Sequence, residues 1–299
     1  MSASFLDDAV LLTLAYSDIF ATPLTAIDIH RRLIGFKSSL TQVKKSLHHL
    51  LLNNRLSFQN NYYFFPDRQT ILKLSRQRQL VSKLKLKKAK IWAARLASLP
   101  SILAIYLTGS VAVANASPEA DLDFLIITRV NQLWTTRFFL NLLLDILNLR
   151  RRPGNQFSRD KLCLNLFLTP NSLTLPPSKQ NLHSAYELIQ FKSLFERQPL
   201  QTQFYQANSW FQTYLPNFTF PSSPTFSQSL SSFSFNPLER PLFAMQRYYM
   251  RSKITHELIN LHFAFFHPRP LYPSILSKLK SRLVRYNIKI WPQLQPFLT

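Results

Sequence analysis

The sequence predicts a mixed α/β protein with helical segments on either side of a central sheet. Strand-like apolar runs alternate with helical stretches between residues 101 and 200, which is typical of the α/β class. In residues 1–66, three segments with apolar residues at helical spacing precede two short strand-like runs. Apolar residues make up 46% of the 299 residues and charged residues 17%, enough apolar material to build cores. We divide the chain into a helix-and-hairpin unit at 1–66, a basic connecting helix at 67–100, an α/β domain at 101–200, and a linker with a helical region at 201–299.

The first unit is predicted from apolar stripes at helical spacing. The second stripe is expected to stop at Gly35, a glycine suited to the C′ position that closes a helix. Asn60-Asn61 joins the two strand-like runs, because asparagine tolerates the positive φ of a tight hairpin turn. The predicted helices cover residues 5–16, 23–33 and 41–52, and the predicted strands cover 55–59 and 62–65.

This order of three helices and a two-stranded wing resembles the winged helix-turn-helix domain. The resemblance implies contact with DNA through residues 41–53. Lys44, Lys45 and Arg55 are then the candidate nucleic-acid-binding side chains. Domains of this kind also act as protein–protein adaptors, so a protein partner is the alternative.

The connecting segment, residues 67–100, has helical periodicity and a high density of positive charge. One interpretation is a solvated connecting helix, and the other is an electrostatic track for phosphates. Its most basic stretch contains Arg76, Arg78, Lys83, Lys85, Lys87, Lys88 and Lys90.

The middle domain is predicted to alternate strands and helices. Its most apolar stretch, Leu133–Leu149, carries Arg137 and Asp145 and is shorter than the roughly 20 residues of a membrane span. We therefore expect a buried helix there. The predicted strands are 102–107, 122–128 and 162–169, with a turn at 108–110, and the predicted helices are 132–149 and 186–195.

The last third combines a linker with basic helices. Residues 216–237 are rich in Phe, Ser and Pro and show no period, which predicts a loop or linker. Helices are predicted at 238–266 and 272–291. We find no catalytic or ligand-binding motif in this third of the sequence. We expect this third of the chain to pack over the middle domain.

Charge and cysteine content limit the partners. The chain has 36 basic and 14 acidic residues, a formal net charge of +22, which attracts polyanions such as nucleic acids and nucleotides. Cys163 is the sole cysteine, so no intrachain disulfide can form. The start of the chain lacks the basic and apolar regions of a signal peptide. We expect a cytoplasmic protein with no membrane association.

One motif indicates a chemistry. A strand-like run ends at Thr108-Gly109-Ser110, and ten residues, Val111–Ala120, separate it from Asp121-Leu122-Asp123 at the start of the next strand. Gly109 permits close approach of the backbone to a ligand, and a helix start at Ser110 offers free N–H groups to phosphate oxygens. Asp121 and Asp123, two apart on a strand, project from one face. Two carboxylates 4 Å apart repel by roughly 4 kcal/mol, so a cation between them is favoured.

This segment resembles the signature of the nucleotidyltransferase superfamily typified by DNA polymerase beta. The resemblance covers about residues 100–170 and implies a nucleotidyltransferase-like mixed sheet with flanking helices. It further implies Mg²⁺ or Mn²⁺ as cofactor and transfer of a nucleoside monophosphate from a nucleoside triphosphate with release of pyrophosphate. Asp121 and Asp123 would hold metal and carry catalysis, and Thr108, Gly109 and Ser110 would hold the triphosphate.

The sequence departs from this family at the third carboxylate. Active members place one on a later strand, and here the central polar residue of that strand is Asn165. Its carbonyl oxygen can ligate a metal, but the amide carries no charge and cannot act as a base. Asp145 and Asp160 are the two candidate substitutes. Arg150-Arg151-Arg152 is either a cluster at a helix C-terminus or a contact for triphosphate or RNA.

Three functions follow as hypotheses. The first is a metal-dependent nucleotidyltransferase acting on an unidentified RNA or protein acceptor. The second is a catalytically degenerate relative that acts as a nucleic-acid-binding regulator. The third, implied by small members of the same superfamily, is an antitoxin-like enzyme that modifies a partner protein.

Overall fold

The computed structural model describes residues 3–152, 158–220, 235–252, 257–266, 271–292 and 294–298. They form a mixed α/β protein with one six-stranded sheet that carries helices on both faces. The α/β class predicted from the sequence is therefore confirmed. Residues 221–234, most of the predicted linker, lie outside the described residues.

The amino-terminal unit contains three helices followed by a two-stranded hairpin. Asn60 and Asn61 have φ angles of 52° and 67°, as the predicted tight turn requires. Gly35 has a positive φ, but the second helix ends at Arg31, so this glycine does not close that helix. The elements are α1 (Ala3–Asp18), α2 (Ala26–Arg31), α3 (Leu40–Leu52), β1 (Ser57–Gln59) and β2 (Tyr62–Phe64).

The basic segment forms one long helix, α4 (Thr70–Leu96), which leads into the sheet. The remaining strands are β3 (Ile102–Thr108), β4 (Leu122–Thr128), β5 (Leu162–Leu168), β6 (Lys192–Glu196), β7 (Leu258–Ile259) and β8 (Phe263–Phe265). Their order is β6-β3-β4-β5-β8-β7, with β4 and β5 parallel and every other pair antiparallel.

The helices that accompany the sheet follow its strands along the chain. They are α5 (Gly109–Ala112), α6 (Leu133–Ile146), α7 (Leu182–Gln190), α8 (Leu200–Ala207), α9 (Phe211–Tyr214), α10 (Glu239–Met250) and α11 (Leu271–Arg285). Because strand side chains alternate between faces, the sheet contributes to two cores. One core joins a sheet face to α1–α3, α7, α8 and α11, and the other joins the opposite face to α4 and α6.

Two predicted helices are wrong over part of their length. Residues 186–195 do not form one helix, because α7 ends at Gln190 and the next residues pair with β3 as the edge strand β6. Within 238–266, α10 ends at Met250, and the short strands β7 and β8 extend the sheet beside β5. In both cases pairing with a distant strand overrides the local helical pattern.

The helix predicted to be buried within 133–149 is buried on one side only. Trp134, Leu140 and Leu144 lie in a core, whereas Phe139 and Ile146 are exposed. The solvent face of α6 is therefore apolar. Within the described ranges, no helix has both the length and the apolar character needed to cross a membrane.

The carboxy-terminal third contacts both the sheet and the amino-terminal unit. The Glu239 carboxylate of α10 accepts from the backbone N–H groups of Trp134 and Thr135 at 2.8 and 2.9 Å, which caps α6. Arg282 of α11 donates to the buried Asp18 carboxylate of α1 at 2.6 Å. The expectation that this third packs over the middle domain holds for α10, but α11 packs against α1 instead.

Candidate active site

The acidic pair lies at one end of three adjacent strands. Asp121 immediately precedes β4, and Asp123 is its second residue. Asp123 lies opposite Thr108 on β3 and opposite Cys163 on β5. The fold therefore brings the Thr108-Gly109-Ser110 turn and the two predicted metal-binding carboxylates together at the same end of these adjacent strands.

Gly109 allows this close approach. Its φ is +66°, in the left-handed region that favours glycine. A Cβ atom at this position would lie closer than 3.0 Å to Asp123 Oδ2 and 3.2 Å from its Cγ. The Asp123 carboxylate thus packs against the backbone of the turn, and no larger residue fits between them.

Thr108 and Ser110 flank Gly109 in the turn. Thr108 is the N-cap residue of the four-residue helix α5, and its hydroxyl lies 3.4 Å from the Asp123 carbonyl oxygen. Both side chains are partly exposed. The triphosphate-binding role of Thr108, Gly109 and Ser110 stays a prediction, and the positions of Thr108 and Gly109 against Asp123 are compatible with it.

Arg151 provides positive charge beside the pair. Its Nη1 lies 2.8 Å from Asp121 Oδ2. This oxygen has no aligned hydrogen-bond donor although it is buried, so the contact is an ion pair without hydrogen-bond geometry. Of the two interpretations of the arginine cluster, Arg151 fits a site contact, whereas Arg150 and Arg152 bind Asp145 at 2.7 and 3.0 Å.

Asn165 and Cys163 form the third side of the site. Asn165 Nδ2 donates to Asp123 Oδ1. Cys163 Sγ donates to Asn165 Oδ1 at 2.8 Å, which orients the amide. Cys163 pairs with Asp123, and Asn165 lies two residues further along β5, so strand alternation places both side chains on the face of the sheet that carries Asp123.

The two carboxylates of the acidic pair repel each other, and burial of Asp123 further disfavours its ionised form. Burial raises the pKa of Asp123 to about 7, and the negative charge of Asp121 adds to the rise. Arg151 and the hydrogen bond from Asn165 act in the opposite direction. The pKa of the Cys163 thiol is raised well above its usual range by burial and by the two carboxylates. The Cys163 thiol is therefore protonated and neutral at neutral pH, so the negative charge of the site lies on the carboxylates of Asp121 and Asp123.

Asp121, Asp123 and Cys163 could together hold a metal ion, since their ligand atoms all lie within 4.8 Å of one another. The donor set fits a hard cation such as Mg²⁺ or Mn²⁺ through the two carboxylates. A protonated thiol is a poor ligand, so Cys163 does not point to a thiolate-binding metal. Asn165 Oδ1 faces Cys163 rather than the carboxylates, so the predicted ligand role of Asn165 is not visible in this arrangement.

Neither predicted substitute for the third carboxylate is free. Asp160 is bound by Lys85 at 2.8 Å and by Lys88 at 2.5 Å, and these lysines lower its pKa. The pKa of Asp145 is lowered by Arg150 and Arg152. Both carboxylates therefore remain ionised within salt bridges, and the expectation that either replaces the third carboxylate is not supported by their contacts.

The three candidate nucleic-acid-binding residues separate into two groups. Lys44 and Lys45 are exposed on α3, so their predicted role stays a prediction. Arg55 is partly buried, and its Nη2 donates to the carbonyl oxygens of Tyr286 and Asn287 at 2.8 and 3.1 Å. Its guanidinium thus contacts the residues that follow α11, and its role as a nucleic-acid contact also stays a prediction.

The sequence interpretation missed one further charge that acts on the acidic pair. Glu187 of α7 is exposed, and its negative charge adds a smaller contribution to the raised pKa of Asp123. Its neighbour His183 contacts Tyr16 of α1. The (i, i+4) spacing of His183 and Glu187 was the available signal, but nothing local in the sequence connects either residue with Asp123.

No protein-family model, curated protein or solved structure matches this chain.

Proposed function

We propose that this chain is a metal-dependent nucleotidyltransferase that transfers a nucleoside monophosphate from a nucleoside triphosphate to an RNA or protein acceptor. The observation that carries the proposal is the convergence of Gly109, Asp121 and Asp123, with the Asp123 carboxylate packed on the Gly109 backbone. The proposal includes the resemblance to the nucleotidyltransferase superfamily. The antiparallel β3–β4 pair, continued by the parallel strand β5, supports it.

The residues of the site have distinct roles in this proposal. Asp121 and Asp123 would hold Mg²⁺ or Mn²⁺, which supplies positive charge to the triphosphate. The turn from Thr108 to Ser110 would bind phosphate oxygens through backbone N–H groups. Arg151 already offsets the charge of Asp121, and its partly exposed guanidinium suits a second contact to phosphate. The acceptor hydroxyl oxygen forms a bond to the α-phosphorus and loses its proton to solvent, while the bond to the bridging oxygen breaks and pyrophosphate leaves with that electron pair.

The test is transfer of label from each α-labelled nucleoside triphosphate in the presence of Mg²⁺ or Mn²⁺, total cellular RNA and total cellular protein. We expect label in a macromolecule with wild-type protein and none with Asp121→Asn/Asp123→Asn. Separation of the products by nuclease and protease treatment identifies the acceptor class. Equal labelling by wild type and the double variant would refute the proposal.

A specific observation favours one alternative. Asn165 occupies the place facing Asp123 on the neighbouring strand, where active family members have a carboxylate. This arrangement suits a degenerate nucleotidyltransferase-like protein with an amino-terminal winged helix that regulates through nucleic-acid binding. Its signature is Mn²⁺-dependent nucleotide binding without label transfer, together with DNA or RNA affinity that falls steeply as salt rises.

A further inference from the structure

Helix α4 carries a line of apolar side chains on its solvent side. Leu80, Leu84 and Ile91 are 62%, 63% and 54% exposed, although they are large aliphatic residues. Together with the exposed Lys87, they follow the alternating steps of four and three residues that define the a and d positions of a coiled coil. These four side chains therefore form one line along the helix, about 16 Å long, which we call the α4 seam.

The opposite side of α4 fixes the helix to the rest of the protein. The residues at the f position of the same heptads are buried, and they are Ser75, Ser82, Ala89 and Leu96. Ser82 Oγ accepts from the backbone N–H of Ala116 at 2.9 Å, and Lys85 Nζ donates to the carbonyl oxygen of Ala120 at 2.7 Å. Because the f position lies opposite a and d, the α4 seam points away from the core that the helix covers.

Positive charge flanks the α4 seam on both sides, and the 27 residues of the helix contain no acidic side chain. The g positions are Arg76, Lys83 and Lys90, which are exposed and form no ion pair with any residue that the structure describes. On the e side, Lys88 pairs with Asp160, and the Arg95 guanidinium lies 4.7 Å from the centroid of the Trp92 ring. In coiled coils, charges at e and g determine which helix can pair. The g side of α4 is therefore a row of basic groups available to a partner.

The combination of apolar and basic positions selects one kind of partner. A second copy of α4 would bring like charges together beside the seam, which is destabilising. A purely polar polyanion would leave Leu80, Leu84 and Ile91 in water. The seam is also narrow, contains Lys87 and lacks aromatic residues, whereas helices that bind a membrane surface bury a wide apolar face. An amphipathic helix with an apolar seam and acidic flanks complements both features.

We propose that α4 docks an acidic amphipathic helix of a partner protein. The apolar residues of that helix pack on Leu80, Leu84 and Ile91, and its carboxylates pair with the three basic residues at g. Lys87, within the seam, faces an acidic or polar side chain of the partner and so determines the register. Because α4 is fixed in place by its buried side, binding does not require the helix to become ordered. This inference does not depend on nucleotide transfer.

The experiment measures the binding of labelled synthetic helices to the full chain by fluorescence anisotropy. The acidic peptide has about 21 residues, with leucine at a and d and glutamate at e and g, and the basic peptide has lysine at e and g instead. We expect the acidic peptide to bind at least about tenfold more tightly than the basic peptide. Leu80→Ser/Leu84→Ser should weaken the binding of the acidic peptide about tenfold or more, because apolar contact area is lost. Lys83→Glu/Lys90→Glu should reverse the preference between the two peptides.

Lys278→Glu/Lys280→Glu is the matched control, because it changes the net charge equally at two exposed lysines of α11. We expect it to keep the wild-type preference. Equal binding of the two peptides by wild type, or reversal of the preference in the control as well, would overturn the proposal.

Titrations with poly(U) RNA and with vesicles of phosphatidylcholine and phosphatidylserine test the other occupants. If wild type binds either of them but not the acidic peptide, and Lys83→Glu/Lys90→Glu weakens that binding, the face belongs to a polyanion and the proposal fails. Sedimentation tests self-association, and a wild-type dimer that Leu80→Ser/Leu84→Ser dissociates would make a second copy the occupant and equally overturn the proposal.

Discussion

Replacement of Gly109 by alanine tests the geometry on which the site depends. The backbone at this residue has a φ of +66°, which costs a residue with a Cβ about 1–2 kcal/mol. The new methyl group would also overlap Asp123 Oδ2, and relief of such overpacking costs about 1–3 kcal/mol. We therefore expect Gly109→Ala to lower the free energy of unfolding by about 2–5 kcal/mol and to displace the Asp123 carboxylate.

Gly35→Ala is the matched control. Gly35 has a φ of +65°, and its added Cβ would overlap the Phe297 and Leu294 side chains rather than any residue of the acidic pair. Urea unfolding should show a loss of similar size for both variants. A Mn²⁺ titration followed by electron paramagnetic resonance should show at least tenfold weaker binding for Gly109→Ala only. Wild-type Mn²⁺ affinity in Gly109→Ala, or an equal loss in Gly35→Ala, would refute the reasoning.

Three further predictions concern charge and backbone conformation. Because the pKa of Asp123 is raised from 3.8 to about 7, the folded chain holds a proton that the unfolded chain releases between about pH 4 and pH 7, so stability falls as pH rises through this window. Asp123→Asn should remove that slope and be more stable than wild type at pH 8 in metal-free urea unfolding; equal slopes would contradict this. Asp18→Asn should cost about 3–5 kcal/mol in the same assay, since its buried carboxylate pairs with Arg68 and Arg282, each at 2.6 Å. Asp67→Asn, which breaks an exposed pair beside it, should cost less than about 1 kcal/mol, and similar losses for the two would contradict the role of burial. Asn61→Gly should raise the free energy of unfolding by about 0.5–1 kcal/mol, because glycine adopts the φ of 67° without strain, and a loss of stability would contradict the turn assignment.

Much of the local structure could be predicted because its signals lie within a few residues. The stripe and capping residues of α3 determine where it begins, with a capping box between Ser39 and Gln42. The strand β4 was predicted with its observed bounds, since an apolar run between a turn and a helix has few alternatives. The turn at Asn60-Asn61 follows from the conformational tolerance of asparagine alone.

Predictions failed where a distant segment decides the conformation. Residues 192–196 have a helical pattern, but they pair with β3 because that edge of the sheet is available. The same applies to β8, which pairs with β5 after about one hundred intervening residues. Long-range contacts also place side chains that no local pattern explains: Arg55 donates to the carbonyl oxygens of Tyr286 and Asn287, at the other end of the chain.

The sequence by itself determined the α/β class, the amino-terminal helices and hairpin, and the motif that places Gly109, Asp121 and Asp123 near one another. These follow from periodicity and spacing, which act over short distances along the chain. Only the tertiary structure decided which groups surround that motif. Arg151 and Asn165 reach the acidic pair because strand register and the loop after α6 join segments that no local pattern connects.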